Sequence, residues 1–361
     1  MKKAIAAVLI WSSFATLAQD PTFSQFNMSK VFLNPAYAGY TRDLNVTMHS
    51  RLQWTNVVGR FSTNSFTANV GCPTNRVGFG FRGYYADEGE GFLRNVNAAG
   101  LVSVNLPGRF GPRTGRFYGK KYIVSFGLQF GVGQRFIDWN RLTFTDQLDV
   151  YEGQLGIPSA AGPQNGASNL VLDVSGGIRG RMEVGNRGSY LSGGFAMWHI
   201  NRPIESFFNL ETQIEPRYTG HVFAHFKTSK FKNNSNFLTL GFVYDHQQVL
   251  SQNIISASMD FWDFLYLGVS FRRKEVFAID RNVDAVIFQA MYIYKGLGVG
   301  YSYDVTISDL YLESTYGTHE IGITYTIPNS TWCLGRRQRP RALDCFYLNS
   351  ESTNRDNIHF R

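Results

Sequence analysis

The sequence of 361 residues is poor in cysteine, proline and charge. Three Cys exclude a disulfide scaffold, and 11 Pro exclude a collagen-like or proline-rich chain. Charged residues make up 17% and aromatic residues 15%, which excludes intrinsic disorder. No segment offers about 18 consecutive apolar residues, so no transmembrane helix is expected. The 36 Gly, the aromatic content and a mean hydropathy of −0.19 suit a membrane β-barrel, because each of its strands is polar on one side.

Motifs of enzymes and cofactor sites are also missing. The chain has no Gly-x-Ser-x-Gly element and no Cys-x-x-Cys pair. Gly78, Gly80 and Gly83 match a dinucleotide spacing, but they lie within a predicted strand that no helix follows. His221 and His225 share a strand face about 13 Å apart, too far to share a zinc ion. We therefore expect no catalytic, cofactor or metal site and no small-molecule substrate.

The first residues are typical of a secretory signal peptide. Lys2 and Lys3 precede the apolar run Ala4 to Trp11, and Ala18 ends a small-x-small cleavage site. We predict a signal peptide over 1–18, which lowers the net charge from +8 to +6 in the mature chain. A basic chain could suggest nucleic acid as a partner, but the targeting and the predicted fold argue against it.

Alternation of polar and apolar residues dominates the rest of the chain. It predicts strands, since period two gives a strand unlike faces. We predict one domain over 44–327, an all-β transmembrane antiparallel β-barrel of about 14 strands of the bacterial outer-membrane type. The predicted strands are 44–55, 61–71, 76–83, 93–106, 121–135, 168–181, 189–199, 218–227, 235–246, 251–261, 264–273, 283–294, 297–306 and 318–327.

A secreted β-sandwich or propeller is the alternative fold, because it alternates too. Two features favour the barrel. The strand faces opposite the apolar ones are rich in Gly, Ser, Asn and Gln, which suits a lumen better than a dry core. Aromatic residues lie near strand ends, as in the girdles of membrane barrels. The aromatic residues taken for girdles are Tyr84, Tyr85, Trp139, Trp198, Phe207, Phe208, Phe261, Trp262, Tyr292 and Tyr294.

An even strand count and a cleaved signal place both termini in the periplasm. The predicted external loops then sum to a charge of −8, whereas the periplasmic turns and the tail 328–361 sum to +9. The charges of the loops and turns are either merely solvated, or those of the periplasmic turns and tail form a basic rim that docks an acidic partner. Cys72 falls in a predicted periplasmic turn, and a bridge between Cys333 and Cys345 in the tail is plausible.

Several motifs resemble the PorP/SprF family of outer-membrane proteins of the type IX secretion and gliding apparatus of Bacteroidetes-type bacteria. The resemblance covers essentially all of the mature chain. The matching segments are Gln19-Asp20-Pro21-Thr22-Phe23-Ser24-Gln25-Phe26, Leu33-Asn34-Pro35-Ala36-Tyr37-Ala38-Gly39, 137–144, 203–208, Gly300-Tyr301-Ser302-Tyr303-Asp304-Val305-Thr306-Ile307-Ser308 and Gly317-Thr318-His319-Glu320-Ile321.

The resemblance implies a barrel in the outer-membrane lipid that acts with the secretion machinery. Its partners would be cargo proteins with a C-terminal sorting domain, whose export or surface anchoring it supports, and periplasmic ring or peptidoglycan-linked components. A general diffusion porin or a ligand-specific transporter is the alternative function, since 14 strands lie between small filled barrels and porins of 16–18 strands.

The segment 19–43 before the first strand is expected to fold into the barrel mouth as a plug or to lie flat as a tether. Pro35 fixes its own φ and restricts Asn34, which predicts a turn. On the penultimate strand, Asp304 shares the polar face with Ser302 and Thr306, and it should face inward or lie at the rim. That motif serves either barrel closure and loop folding or direct contact with cargo.

Two groups of residues follow as candidates. The family-motif residues are Tyr301, Tyr303, Asp304, Thr306, Ser308, Gly317, His319 and Glu320. The candidates for partner contact are Asp20, Pro21, Phe23, Ser24, Gln25, Asn34, Pro35, Tyr37, Gly39, Arg109, Arg113, Arg116, Lys120, Arg336, Arg337, Arg339 and Arg341.

Overall fold

The structure is a computed structural model. The part of the chain that it describes consists of residues 20–41, 43–57, 59–72, 76–89, 93–110, 120–138, 142–149, 151, 153–154, 156–157, 159–160, 166–184, 189–207, 210–228, 236–261, 264–276, 283–308 and 311–327. The predicted signal peptide 1–18, Trp139, Phe208, Trp262 and the tail 328–361 lie outside it.

Fourteen antiparallel strands close into one barrel, which confirms the predicted fold class. Their order around the barrel follows the chain, and the first and last strands pair along Leu44–Gln53 and Thr318–Ile327. The barrel strands are β1 (Leu44–Gln53), β2 (Arg60–Cys72), β3 (Val77–Gly89), β4 (Leu93–Phe110), β5 (Lys120–Phe136), β8 (Val171–Val184), β9 (Ser189–Trp198), β12 (Arg217–Lys227), β13 (Phe237–Gln247), β14 (Leu250–Phe261), β15 (Leu265–Val276), β16 (Val283–Tyr294), β17 (Leu297–Thr306) and β18 (Thr318–Ile327).

Small elements occupy three long connections and the segment before β1. Two-stranded hairpins are formed by β6 (Leu148–Asp149) with β7 (Gly153–Gln154) and by β10 (Ile204–Phe207) with β11 (Leu210–Gln213). The helices α1 (Lys30–Leu33) and α2 (Leu312–Thr315) and the 3₁₀ turns Pro35–Tyr37 and Thr145–Gln147 are each one turn long. None of the helices in the described part of the chain combines the length and apolarity needed to cross a membrane.

The two faces of the strands differ as their alternation predicts. On β1, Met48 is 55% exposed and Leu52 is exposed, whereas Thr47, His49 and Arg51 are buried. On β5, Phe126, Leu128 and Phe130 are exposed, whereas Ser125 and Gln129 are buried. The outer surface is therefore an apolar wall suited to lipid, and the polar faces line the lumen.

The two ends of the barrel differ in their connections. The long connections 137–170, 199–216 and 307–317 lie at the end where β1 finishes and β18 begins, which we call the loop end. The opposite end, where β1 begins and β18 finishes, we call the turn end, because its connections are short.

Several sequence predictions need correction. β3 continues to Gly89, so residues 84–89 are strand and not loop, and Asp87 is buried and contacts Arg94 at 3.6 Å. Tyr84 is no girdle residue, because its ring lies 6.4 Å from that of Phe32 in the lumen. The external sum of −8 therefore counts acids that belong to a strand.

Trp198 and Cys72 also lie elsewhere than predicted. Trp198 is fully buried, and its indole nitrogen donates to Thr219 Oγ1 at 3.1 Å, so it faces the lumen and not the membrane interface. Cys72 is the last residue of β2 and pairs with Val77, so it ends a strand and is not in the turn. Tyr292 and Tyr294 are exposed on the outer wall, in accord with a girdle position.

The predicted turn 107–120 is shorter than expected, because β4 continues to Phe110 and β5 begins at Lys120. The two strands pair with each other to their ends, with Phe110 opposite Lys120, whereas the pairing of β4 with β3 ends at Val104 and that of β5 with β8 begins at Tyr122. Arg109 and Lys120 are therefore exposed strand residues of a hairpin at the turn end.

Candidate functional site: a strap inside the barrel

The segment before β1, residues 20–41 and 43, lies inside the barrel, and we call it the strap. Most of its side chains from Phe23 onward are buried, and they contact inward-facing positions on strands all around the wall. Asn34 caps the 3₁₀ turn as its motif predicts, because its Oδ1 accepts the amide N–H of Ala36 at 2.8 Å. The strap therefore fills much of the lumen.

An ionic cluster on the inner wall holds the outer part of the strap. Arg51 of β1 donates to Asp304 of β17 at 3.2 Å and to Glu320 of β18 at 3.0 Å. Arg272 of β15 donates to the same Asp304 oxygen at 2.9 Å. All four side chains are at most 6% exposed. Buried charges of this kind are tolerated only when they are paired and hydrogen-bonded.

The cluster binds the strap backbone at Ser24 and Gln25. Glu320 accepts the amide N–H of Ser24 at 2.8 Å and that of Gln25 at 3.0 Å. The Ser24 hydroxyl donates to Asp304 at 2.7 Å and accepts from Arg51 at 2.6 Å. In return, the Gln25 amide donates to the Glu320 carbonyl, and Gln289 of β16 donates to the Ser24 carbonyl. Arg272 of β15 also donates to the Ser24 hydroxyl at 3.3 Å, so five barrel strands bind two strap residues.

A second ionic contact holds the first described residue of the strap. Asp20 Oδ2 lies 2.9 Å from His199 Nε2 and 3.4 Å from Arg217 Nη1, and His199 Nδ1 lies 2.8 Å from Asp173. Burial by itself lowers the pKa of His199, but the charges and hydrogen bonds of Asp20 and Asp173 outweigh it and raise the pKa to about 9. Burial opposes ionisation of Asp20 too, yet His199 and Arg217 hold its pKa well below the usual range. His199 is therefore an imidazolium paired with carboxylates at neutral pH.

Glycines make room for the middle of the strap. A Cβ on Gly127 of β5 would collide with the backbone of Pro35 and Ala36, and one on Gly177 of β8 with the Asn34 side chain. Gly78, part of the discarded dinucleotide match, faces the carbonyl of Ala38 in the same way. These glycines allow the strap backbone to approach the wall closely inside the lumen.

Tyr37 anchors the strap between charged and aromatic groups. Its hydroxyl lies 3.1 Å from His221 Nε2, and the guanidinium of Arg179 lies 4.4 Å above its ring. Its side chain is 1% exposed. His221 is a lumenal residue, as expected for a polar strand face, and His225 lies 2.8 Å from Thr239 Oγ1. In the described part of the chain, no three His, Cys, Asp or Glu side chains are grouped as metal ligands.

The structure brings together part of the predicted set. All the strap candidates contact the barrel or line its lumen, so a role in binding other proteins stays a prediction. Asp304 faces inward, in accord with its prediction, and Glu320 and His319 lie on opposite faces of β18. Arg113, Arg116, Arg336, Arg337, Arg339 and Arg341 lie outside the described residues.

The other motif residues form an outward cluster and a loop support. Tyr301 is exposed on the outer wall with its hydroxyl 2.8 Å from His319 Nδ1, and Tyr303 lies against the same imidazole. Thr306 and Gly317 help to fold the 307–317 connection, where Thr315 Oγ1 donates to Thr306 and accepts the Gly317 amide N–H. Ser308, in the same connection, is partly buried.

Sequence reasoning missed the partners that the barrel contributes. Arg51, Arg272, Gln289, His199 and Arg217 were not among the candidates. Arg51 and Arg272 were nonetheless detectable in principle, because each is a charged residue at an inward position of a strand. Their common partner is visible only once the barrel closes.

A family model described as "Type IX secretion system membrane protein PorP/SprF" matches residues 15–325. No curated protein matches. Among solved structures, CdiB from Acinetobacter baumannii is 8% identical with a TM-score of 0.41, over 79% of this chain and 60% of that one. OmpF of Salmonella typhi in complex with daunomycin is 12% identical with a TM-score of 0.31, over 79% and 97%.

Proposed function

Because the chain belongs to the type IX secretion system membrane protein PorP/SprF family, we propose that it acts in the outer membrane as a barrel that supports the export or surface anchoring of particular cargo proteins. The cargo would carry a C-terminal sorting domain. The role is non-catalytic, and it depends on the surfaces of the barrel and not on a reaction. The loop end faces the outside in this proposal, because extracellular loops are longer than periplasmic turns in such barrels.

The filled lumen is the observation that carries the proposal. The strap is bound to β1, β15, β16, β17 and β18 at Ser24 and Gln25 and to β8 and β9 through Asn34. A diffusion porin needs a continuous water channel. A barrel whose lumen holds an ordered segment is better suited to bind other proteins at its ends.

The β4–β5 hairpin supports docking at the periplasmic end. Arg109 and Lys120 are exposed on its two strands, and Arg113 and Arg116 lie between them in sequence. Exposed basic residues attract an acidic partner and speed its association. We propose that this hairpin meets a ring or peptidoglycan-linked component in the periplasm.

Two measurements test the proposal. In a strain that lacks the gene, one or a few surface proteins should disappear, and affinity purification from the outer membrane should recover them with the barrel. Unchanged surface proteins, together with a large stable conductance of the purified barrel in planar bilayers, would favour the porin instead.

A charge-reversal variant tests the hairpin separately. Changing Arg109, Arg113 and Arg116 to Glu should weaken recovery of the periplasmic partner. The control Lys295→Glu, at an exposed residue of another turn, should not weaken it. Equal recovery by the unsubstituted chain, the triple variant and the control would contradict the docking role.

A further inference from the structure

The strap crosses the lumen from the loop end to the turn end. Asp20 contacts His199, which directly follows β9, and Arg217, the first residue of β12. Its amide N–H points to Gln247, the last residue of β13, at 3.4 Å. Because neighbouring strands are antiparallel, these three positions lie at the same end of the barrel, the loop end.

The rest of the strap descends toward the opposite end. Ser29 bonds to His49 in the middle of β1 at 2.9 Å. Farther along, Gly39 packs against the backbone of Gly71, next to the last residue of β2. Asn45 then bonds to Thr41 at 2.9 Å, where β1 begins at the turn end. The chain thus passes through the whole barrel before its first strand.

This path separates the two ends of the described part of the chain, Asp20 and Ile327. β18 ends with Ile327 at the turn end, whereas the strap begins with Asp20 at the loop end. The sequence alone led us to expect both termini in the periplasm, because the barrel strands begin and end there. A segment that enters from the loop end changes this expectation for the N-terminal side.

We propose that the N-terminal end of the strap, residues Asp20 to Thr22, is displayed at the outer mouth of the barrel, where it can be contacted by exported polypeptides on the cell surface. A periplasmic ring component could not reach it. The inference rests on the orientation given under the proposed function, which places the loop end outside, but it does not depend on the identity of the cargo.

The geometry of the mouth supports contact from outside. Pro21 and Thr22 are partly exposed and line a small cavity together with Arg217, Asp245 and Gln252. Below them, Phe23 and Phe26 form its apolar floor. A polypeptide that approaches the loop end therefore meets strap and barrel residues together.

Thiol labelling on intact cells tests the proposal. Thr22→Cys is compared with two reporters in exposed turns, Gln248→Cys at the loop end and Lys295→Cys at the turn end, and the unsubstituted chain gives the background from its own cysteines. A membrane-impermeant maleimide should label Thr22→Cys and Gln248→Cys on intact cells and Lys295→Cys only after the outer membrane is permeabilised.

The reporters separate two ways of failing. If Gln248→Cys is labelled from outside while Thr22→Cys is labelled only after permeabilisation, the strap path is wrong and the orientation is right. If Lys295→Cys alone is labelled on intact cells, the orientation is wrong and surface display falls with it.

An epitope inserted between Ala18 and Gln19 covers the case in which the Thr22→Cys thiol is too enclosed to react. Antibody binding to intact cells supports the proposal. Binding only after permeabilisation, with Gln248→Cys still labelled from outside, overturns it.

Discussion

The substitution Glu320→Gln tests how the ionic cluster holds the strap. Glu320 is 0% exposed, and its carboxylate accepts the amide N–H groups of Ser24 and Gln25 and one N–H of Arg51. Glutamine keeps the size of the side chain but removes its charge. It also directs an NH₂ group at one of these donors, so that one donor is left without an acceptor.

The free energy of unfolding of the barrel should fall by about 3 kcal/mol in this variant. Breaking a buried ion pair by removing one partner costs about 3–5 kcal/mol, because the other charge stays buried. Arg51 keeps Asp304 as a second partner, which places the estimate at the low end of that range. The strap itself loses a hydrogen bond to a charged acceptor, which contributes about 1.5–3 kcal/mol. At about 1.4 kcal/mol for each factor of ten, release of the strap should become roughly 10- to 100-fold more favourable.

Two assays measure the effect in the folded barrel in detergent. Urea unfolding gives the loss of stability, and limited proteolysis of the strap reports its release. Glu313→Gln is the matched control, because Glu313 is exposed on α2, and it should leave both assays unchanged. Equal behaviour of the two variants would refute the view that Glu320 holds the strap.

Three further predictions follow from the other contacts. Gly127→Val should expel the middle of the strap and increase its cleavage by protease, because the new side chain collides with the backbone of Ala36; Gly100→Val is the control, since its Cβ meets open space. The contact of His199 with Asp20 should stabilise the strap fully below pH 6.5 and lose its effect as the pH rises through about 9, where His199 loses its proton. Cleavage of the strap by protease should therefore increase over that pH range, and His199→Gln should abolish the increase. Deletion of residues 20–41 should raise the conductance of the barrel in planar bilayers, and an unchanged conductance would show that the strap does not close the lumen.

The strands could be predicted because the alternation of residues within each strand follows from what its two faces contact. Lipid on one side and a polar lumen on the other impose period two, and all 14 barrel strands were located from it. The errors occurred where that signal is ambiguous. Tyr84 and Trp198 were assigned to the membrane interface, because an aromatic side chain near a strand end suits either a girdle or a packed lumen.

The strap motifs were recognised, but their surroundings could not be predicted. Asn34 and Pro35 indicated a turn, and Asp304 was placed on the inner face. The pairing of Asp304 with Arg272, and of Glu320 with Ser24, joins residues separated by 32 and 296 positions. No local pattern encodes such a contact, because it depends on the register and closure of the barrel.

The position of the ionic cluster couples the strap to barrel closure. β1 and β18 form the seam that closes the sheet, and Arg51 stands directly opposite Glu320 in their register. The same two side chains bind Ser24, so the seam and the strap share one set of charges. A strap that lies across the lumen when the seam forms satisfies these charges, whereas an empty lumen would leave Glu320 short of two donors. The strap is therefore suited to guide closure of the barrel around itself, which explains why the motifs of the strap and of the last two strands form one site.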